Sequence, residues 1–426
     1  MTAAILAPDR SAIDARLVSL LAAGAVSLGV LLSGFVLFEP APYELYMAGL
    51  IGVWAFLGLR ISRAVTPLLA LLVLFNIGGM MSVLQMDDVK DTPMYIAVSL
   101  FLAFTAVFFA AVVERKPTLY PLIFKAWIVA ATFTSVLGVA GYFHAFPGAD
   151  MFTKYTRAAG AFQDPNVFGP YLTLPALWLM TRIMTGRIAD MAKYALPLLF
   201  IVFAIFLSFS RGAWGLFAFA ALITTFMLLL QNRSPAFRLR ILIMAMVAVA
   251  LIAAALVIAL QIPAIADLFF ARAKLVQDYD GARLGRFARH AIGFLMAMEN
   301  PLGIGPLEFG LKLGEDTHNM WLKALLDYGW LGFAAWTIMI VWTLAGGFRI
   351  LFTRTPWQAY VTCAWAAVLG HVLLGTVIDT DHWRHFYLLI GLVWAGMALD
   401  YRARLTRASG NAPAPRLPLA PEPQAL

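Results

Sequence analysis

Cysteine is almost absent from the chain: Cys363 stands alone among 426 residues. One thiol forms no internal disulfide, and its isolation excludes thiolate zinc sites, CxxC redox motifs and covalent haem attachment. Charge is scarce too. Asp, Glu, Lys and Arg make up 13% of the sequence, about half the rough quarter that a water-soluble domain carries. Hydrophobic residues reach 62% and the mean hydropathy is +0.83. Together these exclude a soluble, disordered, collagen-like or disulfide-stapled chain and leave an integral membrane protein.

A helix needs about 20 apolar residues to cross the bilayer core. Twelve segments qualify, near 16–38, 41–59, 64–85, 94–113, 119–144, 166–185, 191–209, 212–230, 240–262, 329–347, 357–378 and 385–400. They are apolar on every face and do not alternate, which argues against a transmembrane β-barrel. The fold class expected is an all-α polytopic membrane protein of about 12 transmembrane helices, with one long outer loop containing amphipathic helices. Lys125 lies within one span, where its stem can snorkel to the interface. Only Ser210-Arg211 separates the spans 191–209 and 212–230. The first span is too long for a cleaved signal peptide and lacks a cleavage site, so it reads as a retained helix.

Basic residues set the orientation. With the N-terminus inside and the spans alternating, the inner loops hold 18 basic and 6 acidic residues, against 12 basic and 17 acidic outside. Every inner loop between two spans is net positive and the N-terminal segment is neutral, so the overall +8 is a topology signal, and its spread over short loops speaks against a nucleic-acid partner. The chain divides into an N-terminal cytoplasmic tail (1–15), a membrane domain (16–400) with the long outer loop at 263–328, and a basic, then Pro-rich, cytoplasmic tail (401–426) of disordered composition.

Polar chemistry collects on the outer side, in GAFQDPNVFG, SRGAW, GARLGRFARH, NPLGIGPLEFG, EDTHN and DTDHWRH. Arg211 lies between two spans with almost no loop. It reads either as an interfacial anchor beside Trp214 or as an arginine aimed into an outward cavity to bind an anion. Gly281–Glu299 reads as an amphipathic helix that puts Arg283, Arg286 and His290 on one stripe. Such forks suit phosphate oxygens, and equally a helix resting on lipid phosphates. Asn300-Pro301 ends that helix.

Asp316 or Thr317 is a plausible N-cap for the apolar run that follows. His318 then falls in the first helical turn, where the positive helix end keeps an imidazole neutral and able to accept a proton. A histidine merely hydrogen-bonded at a helix start is the plainer alternative. Asn319 follows it. Asp379, Asp381, His382, Arg384 and His385 form a compact polar turn that matches no specific metal spacing, and it reads as a solvated or substrate-lining loop. Asp164 and Asn166 either cap the helix after QDPN or touch substrate.

SRGAW after a span, GRF followed by PLGIG, and THN before a long apolar run together resemble the O-antigen ligase / O-antigen polymerase superfamily, over most of residues 155–400. QDPN before a span is also common there. The resemblance implies a bacterial inner-membrane glycosyltransferase, metal-independent and inverting, with its site facing the periplasm and no cofactor. Its donor would be a polyprenyl-diphosphate-linked glycan drawn from the membrane lipid. Its acceptor would be a lipid-linked repeat in a polymerase, for an exopolysaccharide or O-antigen, or lipid A–core in a ligase. The family's arginines correspond to Arg211 and Arg286, and its histidine to His318. Arg283, His290, Asn319, Asp164, Asn166 and Arg384 are the accompanying substrate-binding candidates. His290 departs from the family, where an aromatic residue is frequent. Glu308 and Asp316 are rival bases to His318. A transporter or flippase of a lipid-linked or anionic solute also accommodates twelve spans, although transporters place their charges at the midplane within paired repeats. A non-enzymatic assembly partner is a third reading.

Overall fold

The computed structural model describes residues 10–89, 91–273 and 285–409. Among the described residues the chain forms sixteen α-helices. They are α1 (Arg10–Leu32), α2 (Pro42–Phe56), α3 (Thr66–Val83), α4 (Thr92–Arg115), α5 (Leu119–Tyr142), α6 (Pro165–Tyr171), α7 (Thr173–Thr185), α8 (Met191–Leu207), α9 (Arg211–Gln231) and α10 (Pro235–Ala259). The outer loop contributes α11 (Pro263–Arg272), α12 (Arg286–Glu299) and α13 (Glu308–Leu313), and α14 (Met320–Ile350), α15 (Gln358–Leu374) and α16 (Arg384–Ala408) complete the chain. A two-residue antiparallel pair, β1 (Thr153–Lys154) and β2 (Arg157–Ala158), precedes α6. The protein is an all-α polytopic membrane protein, and each of the twelve apolar segments coincides with a helix or a broken helix. Eight described helices are long and apolar enough to cross a bilayer, with Arg16–Leu32 and Gln358–Leu374 as shorter apolar ones.

Local sequence explains the breaks. Proline stands in the first turn of α2, α3, α4, α6, α10 and α11, where its missing N–H costs nothing and its fixed φ suits a helix. The 166–185 segment divides at Leu172, just beyond Pro170. α14 is two helices joined at Gly329, whose φ of 64° and ψ of −175° are not helical. A side chain there would meet the Leu302 carbonyl oxygen at 2.7 Å, so the PLGIG turn packs directly on the break. The outer loop thereby runs into the span without an intervening coil. Across the break, Gly78 of α3 sits so close that an added Cβ would lie 2.4 Å from the Tyr328 carbonyl and 2.7 Å from the Gly332 nitrogen. Small residues permit such close helix crossings where no hydrophobic force drives association within lipid.

α4 and α16 form the centre of the bundle, with 72% and 78% of their apolar windows buried, whereas α10 has only 6% buried and stands at the periphery. Connections segregate to two ends. At one, Lys116 donates to the Ser19 carbonyl at 2.9 Å, Arg240 to Gly186 at 2.6 Å and Arg402 to Glu114 at 3.0 Å. At the other, Val36 N–H donates to Ala161 at 2.6 Å, Met320 N–H to Gly375 at 2.7 Å and Arg157 to Ser208 at 2.6 Å.

α16 continues to Ala408, past the boundary expected at 400. Hydropathy marks where the membrane ends, not where a helix ends. Asp400 pairs with Arg404 at 2.7 Å, and basic residues in a last turn suit the helix dipole.

Candidate active site

At the polar end, α12, the Glu315–Asn319 segment and the turn between α15 and α16 meet. His318 is central. Its Nε2 lies 3.2 Å from Glu315 Oε1 and its Nδ1 lies 3.6 Å from Asp379 Oδ2. The side chain is 33% exposed, so the imidazole is reachable from outside the fold.

Two expectations about His318 are corrected. Asn319 is the N-cap of α14, because its Oδ1 accepts from Trp321 N–H at 3.0 Å and Leu322 N–H at 3.1 Å. Asp316 instead accepts from Thr317 N–H at 2.8 Å and from Lys323 Nζ. The helix therefore starts later, and His318 precedes it rather than lying in its first turn. Nor does the helix end hold the ring neutral. Asp379, with Glu315 behind it, raises the His318 pKa above its ordinary value against the opposing effect of burial. Two carboxylates outweigh one weak helix end. His318 also has φ +50°, a left-handed conformation costing roughly 1–2 kcal/mol for an L-residue. The Asn319 cap, the Asp316–Lys323 pair and the Met320–Gly375 bond fix the backbone on its C-terminal side.

Beneath His318 lies a buried network that the sequence reading missed. Lys323, Asp327 and Asp381 are 5%, 1% and 3% exposed. Lys323 Nζ lies 3.6 Å from Asp327 Oδ2, and the Tyr95 hydroxyl reaches Asp327 at 3.2 Å and Asp381 at 3.0 Å. His382 Nδ1 lies 2.7 Å from Asp381 Oδ2. Burial alone would raise the Asp381 carboxyl, but His382 and Lys323 hold it below the usual carboxylate range. The network ties α4, α14 and the α15–α16 turn together under the loop that bears His318. Its sequence signal is Lys323 and Asp327 four apart in an otherwise apolar run, since charges at the edge of a span demand partners.

The remaining candidates are placed as follows. Arg211 is the first residue of α9, whose N-cap Ser210 accepts from Ala213 N–H at 3.3 Å. The next residue, Gly212, packs against Leu374, adjacent to the Gly375 carbonyl that holds Met320. α9 and α14 thus begin against the same neighbour. Arg286 is the first residue of α12. Its stripe partner Arg283 lies outside the described residues. Arg289, buried at 5%, is bound to Glu315 and keeps that carboxyl below its ordinary pKa. His290 Nε2 lies 2.9 Å from the Thr317 carbonyl, so this departure from the family joins α12 to the His318 loop. Asp164 caps α6, accepting from Asn166 N–H at 2.8 Å. Asn166 accepts from Arg157 at 2.8 Å. Arg384 is clamped by Glu44 and, at 2.9 Å, by Glu39, which fixes α16 to α2.

Of the rival bases, Asp316 is bound by Lys323, and Glu308 pairs with Lys312 at 3.1 Å. The polar turn after α15 does not gather as one cluster. Asp379 faces His318, Asp381 and His382 face Tyr95, and His385 is buried at 2% with its ring 5.1 Å from that of His371.

No curated protein matches the chain. A family model described as O-Antigen ligase matches residues 196–337, the stretch from α8 to the outer half of α14 that contains Arg211, Arg286 and His318. Over that stretch, about a third of its length, the chain is similar to the O-antigen ligase family, and its long apolar helices make it a multipass membrane protein.

Proposed function

We propose that the protein is a bacterial inner-membrane glycosyltransferase that moves a polyprenyl-diphosphate-linked glycan onto an acceptor sugar at the periplasmic face. One observation carries this reading: Arg211 and Arg286 each open a helix, at the polar end that also holds the carboxylate-flanked His318. A cation at a helix N-terminus is unfavourable by itself. A bound anion reverses that, because free N–H groups and the guanidinium both attract it.

In the reaction the acceptor hydroxyl attacks the anomeric carbon as His318 takes its proton. The bond from that carbon to the diphosphate oxygen breaks, and the electron pair leaves with the diphosphate. Attack opposite the leaving group inverts the centre. Arg211 and Arg286 stabilise the charge that develops, and Asp379 stabilises the imidazolium. The compact outer loop suits a second lipid-linked repeat better than a bulky lipid A–core, which favours a polymerase. Purified protein given donor and acceptor is expected to form product without an ion gradient. Transport of the lipid-linked glycan with no new glycosidic bond would overturn the reading. In a deletion strain, single repeats without polymer identify a polymerase, and full polymer left on its carrier identifies a ligase.

Two predictions accompany this proposal. The first concerns orientation, with both termini cytoplasmic. A cysteine at Lys312 should react with an impermeant reagent from the periplasm, and one at Arg238 only from the cytoplasm. Reaction of both from one side would refute the topology. The second is that activity persists in EDTA, since two arginines supply the positive charge that a divalent ion supplies in other glycosyltransferases. Abolition by chelator with rescue by one divalent cation would reassign Asp379, Asp381, His382 and His385.

A further inference from the structure

At the basic end of the bundle, opposite His318, helices α1, α2 and α4 and the start of α5 leave a cavity of about 150 Å³. Ala22, Trp54, Leu59 and Leu119 give it apolar walls, and Arg115 and Lys116 are the charged residues lining it. No acidic side chain is among its described lining residues. Lys116 Nζ donates to the Ser19 carbonyl at 2.9 Å and its hydroxyl at 2.5 Å, which tethers α1 to the α4–α5 turn with neutral acceptors. Arg115 has no hydrogen bond or ion pair among the described residues. Next to the cavity, Leu17, Leu20 and Leu21 of α1 are 54%, 70% and 64% exposed, a surface for lipid rather than water.

We propose that this cavity binds the phosphodiester headgroup of an anionic phospholipid, with the first acyl carbons against Trp54, Leu59 and Ala22. Two cations with no carboxylate partner among the described residues, beside a partly enclosed apolar cleft, favour an anion that carries its own apolar extension. Basic pockets between membrane helices on the cytoplasmic side recognise phospholipid headgroups on these grounds. The planar Arg115 fork fits two phosphate oxygens, and Lys116 adds a point charge. A bound lipid would fill the wedge between the α1–α2 hairpin and the α4–α5 pair. The proposal does not depend on the glycosyl-transfer reading.

The test uses the full-length protein in mixed phosphatidylglycerol–phosphatidylcholine, with retained lipid measured by native mass spectrometry. The wild type is expected to retain phosphatidylglycerol in preference to phosphatidylcholine. The double variant R115Q/K116Q should lose about 30-fold in that preference, since each basic contact near the headgroup layer contributes about 1 kcal/mol. Ala22→Phe keeps both charges and fills a half-buried position, and it should lose retention too. This plug serves if the double variant does not fold. Equal retention by wild type and a folded variant overturns the proposal. Displacement of phosphatidylglycerol by millimolar inorganic phosphate also overturns it, in favour of a soluble-anion site.

Discussion

Replacing His318 with alanine is expected to lower turnover by about 10²–10⁴-fold, the usual contribution of a positioned general base, equivalent to roughly 3–5 kcal/mol of barrier. Donor affinity should be nearly unchanged, because the diphosphate is assigned to Arg211 and Arg286. Both quantities should be measured on one purified variant. The pH profile gives a second readout. A base works deprotonated, so activity should rise as pH climbs through the His318 pKa. Asp379 and Glu315 hold that pKa above its ordinary value, so the acid limb should lie to the alkaline side of an ordinary histidine. Asp379→Asn removes one of the carboxylates holding the proton on, and it should shift the limb toward lower pH. It should also lower the maximum, since the imidazolium formed in the reaction loses its stabilising charge. A collapse of donor affinity with unchanged turnover per bound donor would make His318 a binding residue. If neither quantity changes, it is a histidine satisfied at a loop end, and Glu308, whose partner Lys312 is exposed whereas Asp316 is bound by the buried Lys323, becomes the next base to test.

Apolar run length sufficed to place a helix or a broken helix at each of the twelve segments, eight of the described helices being long and apolar enough to cross a bilayer, because a bilayer imposes one dimension on all of its spans. It could not show that the 166–185 span is broken beyond Pro170, or that α14 turns at Gly329. Run length carries neither signal: the first break follows a proline within the run, and the second depends on a tertiary backbone approach that only glycine allows. The candidate site was legible as residue types. His318, Arg211 and Arg286 stood out as polar groups in an apolar chain, but their partners did not. Asp379 lies sixty-one positions from His318 and Tyr95 lies 286 positions from Asp381, and such pairings arise only when helices pack. The error over His318 was local and physical. Two capping candidates precede it, yet Asn319 won because Asp316 had a buried lysine to satisfy. That cost of leaving Lys323 unpaired exceeds the benefit of a cap.

Arg286→Lys should reduce activity by about 10²–10³-fold, the effect of removing one preorganised donor from a developing anion, while expression and insertion remain normal. The substitution keeps one positive charge at the start of α12, so any simple field at that position persists. What it removes is the rigid fork that meets two phosphate oxygens together. The other basic residues of α12 are committed elsewhere, Arg289 to Glu315 and His290 to the Thr317 carbonyl, so neither replaces it without dismantling the His318 loop. The helix start remains an anion site through its N–H groups, and for that reason the donor should still bind weakly. The loss should appear in kcat more than in KM, because charge on the diphosphate grows toward the transition state. Arg211→Lys at the first residue of α9 should behave alike, and the double variant should lose less than the product of the two singles if both arginines hold one diphosphate. Near-wild-type turnover for a correctly inserted Arg286→Lys would return that residue to the role of a lipid-phosphate anchor, where a point charge serves as well as a fork.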